Sequence, residues 1–474
     1  MKKLLNTSHL IEKVKHNVKV TGARIADRHL NLAVTGLSGS GKTAFITSIV
    51  NQLLEANETA ELPFFSVVRE ERLIGVKREA QPNLSLRRFA YEQAMQALNA
   101  SPPTWPESTT GISQVRLHIR YRKNSGLSRY ISEDTKLTLD ITDYPGEWLL
   151  DLPLLEMDFL AWSEHCESEL QSPERHELAS DFLIARDALD LDAEGDELGL
   201  KHVAKLYTDY LHKCRGAGFQ LLQPGRFILP GELAGAPVLD FFPLSAPQIE
   251  GLAQNRKRKG SNQDLLFRRY EHYQEQVVKP FYVEHFKRFD RQVVLVDCLS
   301  ALNNGKAHFD DLQRALNWLL TSFAYGKSNL LSRLFTPKID KLIFAASKAD
   351  HVTPDQQSNL VKLLDSMLHN ARKQMQFEGV STESTAIAAI RASRAGRAEH
   401  AGQDMQILQG TDADGKPIRL FPGDVPAKCP DSQFWRQQGF DFPRFAPPVR
   451  EESHALPHIR MDRVLEFILG DKIR

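Results

Sequence analysis

The chain has 474 residues, 42% of them hydrophobic and 25% charged, with 60 Lys+Arg against 60 Asp+Glu. Those proportions exclude global disorder, and zero net charge argues against a protein whose whole surface binds nucleic acid or anionic membrane. At roughly 150 residues per domain, the length suggests two or three domains, or one domain with large insertions.

Residues 1–28 are basic, and Leu4, Ile11, Val14 and Val18 share one helical face. Such a helix packs on a core or docks on a membrane surface or partner. Residues 30–35 alternate as a strand and run into GLSGSGKT at 36–43, after which Phe45, Ile49 and Leu53 mark a helix. Residues 51–108 read as mostly helical, ending at the Pro-rich stretch 101–106. Strands at 114–121 and 137–141, with a turn signal at 123–126, predict a β-hairpin. From 150 to 290 helical patterns dominate, interrupted by the Pro/Gly-rich 223–231 segment and closing with an aromatic-rich helical stretch from Phe267 to Phe289. Strand patterns return at 293–296 and 342–346, and more weakly at 386–390. A turn at Asp414-Gly415 lies in a Pro/Gly-rich stretch, and Met461 to Leu469 forms a terminal amphipathic helix. Strands alternating with helices predict an α/β fold with a mainly parallel sheet and large helical insertions. The expected division is a core at 1–149 with a helical insertion near 51–108, a helical insertion at 150–290, and a second core part at 291–474 with a C-terminal extension.

The central motif is GxxxxGKT, the P-loop pattern. At average residue usage it arises by chance roughly 0.02 times in a chain this long, so a coincidental glycine-rich turn is a poor explanation. Glycines let the backbone wrap a phosphate, and successive N–H groups and the following helix N-terminus donate to its oxygens. Gly36, Ser38, Gly39, Ser40, Gly41, Lys42, Thr43 and Ala44 are the expected nucleotide contacts. Lys42 would reach the β- and γ-phosphates, and the Thr43 hydroxyl would ligate Mg²⁺. Asp143-x-x-Gly146 is common by itself, but here it ends an apolar strand downstream of the P-loop. In nucleotide hydrolases such an Asp holds the Mg²⁺ shell and the Gly N–H senses the γ-phosphate. The third element is Ser347-Lys348-Ala349-Asp350, after the strand at 342–346. The Asp350 carboxylate can accept two hydrogen bonds from guanine N1–H and N2–H₂, a pair adenine cannot supply, and the Lys348 stem can lie along the base. Ser347 stands where Asn or Thr is usual. Ser393, after the 386–390 strand, is a weaker base-side candidate through its backbone.

The order GLSGSGKT, DYPG, SKAD resembles that of Ras-like GTPases. With DITDYPGEWLLDLPLL at 140–155, LQPGRFILPG at 222–231 and VDCLSALNNG at 296–305, the chain is similar over most of its length to the YcjX-like family of bacterial stress-associated P-loop GTPases. The resemblance implies a Ras-like core with large helical additions, GTP binding and hydrolysis, and a stress-response role. A switch threonine is expected before the second core strand; Thr109 and Thr110 both qualify, and Thr110 is taken as the Mg²⁺ and catalytic candidate. Ras has Gln after the DxxG glycine; this chain has Glu147, which could orient water, act as a base, or simply start a helix. Its charge beside the γ-phosphate is unfavourable unless paired, so slow turnover is expected. No arginine finger is assigned; Arg88 and Arg116 are the open choices, with nothing in the sequence to separate them. A P-loop ATPase, or a nucleotide-bound scaffold with negligible turnover, are the rivals.

Other features read as ordinary. The basic run 256–259 is expected to be a solvated loop, with no nucleic acid bound. Phe267, Tyr270, Tyr273, Phe281, Phe286 and Phe289 are expected in the core. Cys166, Cys214, Cys298 and Cys429 form no CxxC pair and the 16 histidines no HExxH, so no zinc site is expected. With no apolar run of about 18 residues, the chain is expected in the cytoplasm, with inner-membrane contact open to its basic N-terminal helix. An effector or activator protein is the expected partner.

Overall fold

Alternating apolar residues at 30–35, 115–121, 137–141, 293–296 and 342–346 each lie in a strand of one sheet. The structure, a computed structural model, describes residues 28–474 except 109, 124–133, 255–257, 325–338, 378, 401–402, 438–439, 441, 443 and 451–453. The predicted N-terminal helix, Thr109, most of the 123–126 turn and residues 256–257 of the basic run thus lie outside the described residues. The strands of this sheet are β1 (Arg28–Gly36), β2 (Leu73–Glu79), β3 (Arg87–Arg88), β4 (Ser113–Arg122), β5 (Asp134–Asp143), β6 (Arg291–Val296), β7 (Lys341–Ala346) and β8 (Ser381–Ala386). Their order is β2-β4-β5-β1-β6-β7-β8, with β3 beside β4. The five strands from β5 to β8 run parallel; β4 pairs antiparallel with β5, making the predicted hairpin, and β2 adds an antiparallel edge. This is a mixed α/β fold with a mainly parallel sheet, as expected. A separate antiparallel sheet comprises β9 (Ser393–His400), β10 (Gln403–Thr411) and β11 (Pro417–Leu420).

Two expectations fail for one reason. Residues 51–108 are not mostly helical, because they contain β2, whose outer positions are polar or charged and exposed. The strand placed at 386–390 is β8 at Ser381–Ala386, a polar sequence, while the apolar residues 387–390 lie in the turn beyond it. Both are edge strands, bonded on one side only. Edges hold polar residues that discourage further pairing, so the apolar alternation that marks central strands is missing.

Central strands are buried on both faces. On β6, Val294 and Val296 face one core while Val293 and Leu295 face the other; on β7, Leu342 and Phe344 oppose Ile343 and Ala345. One core is shared with the helices between β5 and β6. These include α2 (Phe159–Glu169), α3 (Glu197–Ala217) and α4 (Asn262–Tyr273), capped by Asp158, Asp196 and Ser261 at about 1 kcal/mol each. The expected aromatics are there: Tyr270, Tyr273, Phe281, Phe286 and Phe289 are buried and Phe267 packs at the margin. The opposite face is covered by α1 (Lys42–Leu54) and α7 (Met461–Leu469), the latter with the bounds the sequence predicts. Between these, α5 (Lys306–Ala324) and α6 (Gln357–Met367) follow β6 and β7.

The C-terminal segment is clamped to distant strands. Arg291, fully buried, pairs with Asp340 and Asp471. Arg72 donates to the Ile473 carbonyl (2.7 Å), Tyr121 to that of Lys472 (2.9 Å), and Glu466 accepts from the Ser66 amide (2.9 Å).

Candidate functional site

After β1 the chain lays down β2, β4 and β5 on one side, working inward from the edge, then crosses to the other side of β1 with β6, β7 and β8. In open α/β sheets, ligands bind outside the carboxyl ends of the strands at such a reversal. The 36–43 loop leaves the carboxyl end of β1, Asp143 ends β5, Asp297 follows β6, and 347–350 follows β7. Topology therefore collects the three sequence motifs at one edge.

In the 36–43 loop, Gly39 (φ 76°) and Gly41 (φ 85°) occupy the left-handed region, and a methyl on either would meet nothing within 4 Å. The concave side of the loop is open. Lys42 Nζ donates to the Gly36 carbonyl (2.7 Å), bridging the loop's two ends. α1 has neither a side-chain cap nor an acidic residue in its first turn. Ser40 Oγ is buried with no partner among the described residues. Ser38, Thr43 and Ala44 are half-buried on the same loop and helix start. Glycine geometry, a helix start with no side-chain cap and a cation together suit a polyanion.

Asp143, buried at the end of β5, lies opposite Val34 in the parallel ladder, two residues before the loop begins. Gly146 packs directly on the Gly36 carbonyl, where a methyl would collide. Residues Gly146–Glu156 form a 3-10 helix, unusual at 11 residues, and every residue through Leu154 is buried. The 223–231 segment clasps it. Gly225 abuts the Glu147 carbonyl with no room for a side chain. Asp151 accepts from the amides of Gly225 (2.8 Å) and Arg226 (3.4 Å) and from the Tyr273 hydroxyl (2.6 Å). Burial pushes the Asp151 carboxyl up to about 6, against the lowering effect of those hydrogen bonds. The Arg226 guanidinium lies 3.3 Å from the Trp148 ring centroid, and the Trp148 indole donates to the Leu229 carbonyl. Glu147, 4% exposed, has Arg215 of α3 at 3.6 Å.

The base-side motif is built from side chains. Lys348 adopts φ 61°, left-handed for a non-glycine residue, and its ammonium reaches Asp297. Such strain, of order 1–3 kcal/mol, persists where the surroundings over-determine it. Burial raises the Asp297 pKa, but the charge and hydrogen bond of Lys348, together with the Ser300 hydrogen bonds, outweigh it and leave the carboxyl below its usual range. Ser347 is buried, its amide bonded to the Val296 carbonyl (2.9 Å). Asp350, 4% exposed, receives the Ala392 amide on Oδ2 (2.7 Å) and has His351 Nδ1 at 3.1 Å from Oδ1. Each oxygen keeps a second lone pair. Ser393 opens β9, paired with Gly410, and its hydroxyl donates to the Asp350 carbonyl. The amide that reaches the Asp350 carboxylate is Ala392's.

Residues 30–473 match the YcjX-like family, DUF463. The chain belongs to that family. It is 46% identical over 468 residues to a protein of Escherichia coli strain K12 named Ras-like GTPase YcjX, covering 98% of this chain and all of the relative. A protein of the same name from Shewanella oneidensis strain MR-1 is 48% identical over 466 residues, covering 95% and 96% of the two chains. The chain is thus a GTPase-family protein.

Not every expected residue of this YcjX-like chain meets the others. Thr110 is exposed in the loop before β4, and among the described residues no hydrogen bond ties it to the 36–43 loop. Arg116 is engaged by Asp140 through two hydrogen bonds (2.7 and 2.6 Å), and Arg88 is exposed on β3. Among the described residues no group of three or more His, Cys, Asp or Glu could hold a metal, and no helix is long and apolar enough to cross a membrane. Sequence reasoning missed Asp297, Asp151 and Arg215. Asp297 had a signal, an Asp ending an apolar strand with Ser300 three residues on, a helix-cap pattern. Asp151 and Arg215 had none, because their partners are distant in sequence.

Proposed function

We propose that the chain binds guanine nucleotide with Mg²⁺ and hydrolyses GTP as a switch. The observation that carries this reading is the open, lysine-bridged 36–43 loop with Gly146 seated on its first carbonyl. In this reading Gly36, Ser38, Gly39, Ser40, Gly41, Lys42, Thr43 and Ala44 hold the phosphates, while Ser347, Lys348, Asp350 and the Ala392–Ser393 turn hold the base. Thr43 and Asp143 would hold Mg²⁺, joined by Thr110. The orphaned Ser40 hydroxyl and the Val34–Asp143 pairing, which sets a carboxylate beside the loop, suit that role. When bound, Mg²⁺ neutralises charge on the β- and γ-phosphates. Lys42 holds the same oxygens, Gly146 reads the γ-phosphate through its amide, and Glu147 orients the attacking water. The helices of 150–290 report nucleotide state to a protein partner. A role in bacterial stress response belongs to this reading on the family resemblance alone.

Titration with fluorescent GDP and GTP, competed by ATP, with and without Mg²⁺, tests it. Guanine-selective, Mg²⁺-strengthened binding supports the reading; equal competition by ATP removes the base assignment. The complete burial of Gly146–Leu154 favours a second reading, a nucleotide-bound scaffold with negligible turnover. Single-turnover hydrolysis that disappears in Lys42→Ala excludes it.

A further inference from the structure

A carboxylate immediately after the DxxG glycine is a poor neighbour for a γ-phosphate, since two anions must share a site. Three observations bear on how this chain manages it. First, the Glu147 main chain cannot shift to carry its charge away: Gly146 is packed on the Gly36 carbonyl and the Glu147 carbonyl is packed on Gly225. Second, the Glu147 side chain is 5% exposed, so water does not neutralise it, and a buried charge left unpaired carries a large desolvation penalty. Third, among the described residues its one ion pair is with Arg215, Nη2 to Oε1 3.6 Å, near the end of α3.

Other cations discussed above have partners of their own. Arg226 lies over the Trp148 ring and faces Glu232. Arg116 forks onto Asp140, and Lys42 spans the loop to Gly36. Arg215 has no second ion pair among the described residues, and its side chain is 30% exposed. A guanidinium carries five N–H donors, so most remain for another acceptor.

We infer that Arg215, delivered in cis by the inserted helix α3, is the positioning residue that neutralises and orients Glu147 for hydrolysis. This rests on the GTPase reading above. Paired with Arg215, Glu147 adds no net charge beside the γ-phosphate while its free oxygen accepts from the attacking water. The water oxygen bonds to the γ-phosphorus, the bond to the bridging oxygen breaks, GDP leaves, and the water's protons pass to inorganic phosphate and solvent. No other reactant is required. Arg215 thus acts through Glu147 and supplies what Gln supplies as a neutral residue in Ras.

The test is a double-mutant cycle on the single-turnover GTP hydrolysis rate, with GTP and GDP affinities measured on the same full-length proteins. Arg215→Ala should lower the rate about ten- to a hundred-fold, the scale of a misplaced reacting group, with nucleotide affinity unchanged. Arg215→Lys should recover part of the loss. In a Glu147→Gln background, with no charge to neutralise, removing Arg215 should cost little. An equal loss in both backgrounds, or a wild-type rate in Arg215→Ala while Lys42→Ala is inactive, overturns the proposal. Should Arg215→Ala not fold, Arg215→Gln and Arg215→Lys run through the same cycle. A wild type with no Lys42-dependent hydrolysis overturns instead the GTPase reading, and this proposal with it.

Discussion

The two ends of the site are made of different material. At the phosphate end the working parts are backbone: two glycines in the left-handed region, the uncapped start of α1, and Gly146 against a carbonyl. At the base end they are side chains already engaged with one another: Lys348 with Asp297, and Asp350 with His351 and the Ala392 amide. Backbone amides recognise any phosphate, so in the proposed reading the first end supplies affinity common to all nucleotides. Buried, pre-oriented side chains reject a mismatched ligand, because a wrong base leaves them unpaired, so in the same reading the second end would supply choice.

Removing Lys42 gives the sharpest break of that contrast. Lys42→Ala should lose about 3 kcal/mol of triphosphate binding, the upper range for a charged hydrogen bond, and lose it equally for GTP and ATP in calorimetric titration. A base-dependent loss would mean the ends are not separate. Asp350→Asn should remove about 2 kcal/mol of preference for guanine and move it towards xanthine, with affinity for the triphosphate group retained; competition between GTP and XTP reads this directly. Asp297→Asn sits one step behind the base. It removes the carboxylate that holds Lys348, so thermal unfolding should show a loss of about 1 kcal/mol, with weaker guanine binding and no change in phosphate discrimination. The smallest effect belongs to Asp471, far from both ends. Burial pushes its carboxyl up, but the hydrogen bonds of Arg291 and Lys341 outweigh that and hold it well below the usual range. A depressed folded pKa contributes stability that is full above the unfolded value of about 4 and is lost as pH falls through the folded one. The difference in melting temperature between wild type and Asp471→Asn should therefore be largest near neutral pH and shrink below about pH 4, with neither end of the site altered.

The same division explains what the sequence discloses. Glycine spacing encodes backbone shape locally, so the 36–43 loop and Gly146 are legible residue by residue. Central strands, buried on both sides, are legible from their apolar runs; β2 and β8 are not, because an edge strand shows its polar side. Asp350 and Lys348 are visible as a motif, yet the partners that hold them, Asp297 and Ala392, lie 51 and 42 residues away. The clasp on 146–156 is further beyond reach. Asp151 meets Gly225 across 74 residues and Tyr273 across 122, and no local pattern records such a pairing.

The clamp at the C-terminal segment also sets a timetable. Ser66 waits for Glu466 across 400 residues, and Arg72 for Ile473 across 401. At about 5–20 residues per second, synthesis of that interval takes roughly 20–80 seconds. Throughout it, the sheet face behind the 36–43 loop lacks α7, whose Val464, Leu465, Ile468 and Leu469 close it. The nascent chain therefore carries an uncovered apolar surface for most of its time on the ribosome, and the oldest part of the protein is among the last to be finished.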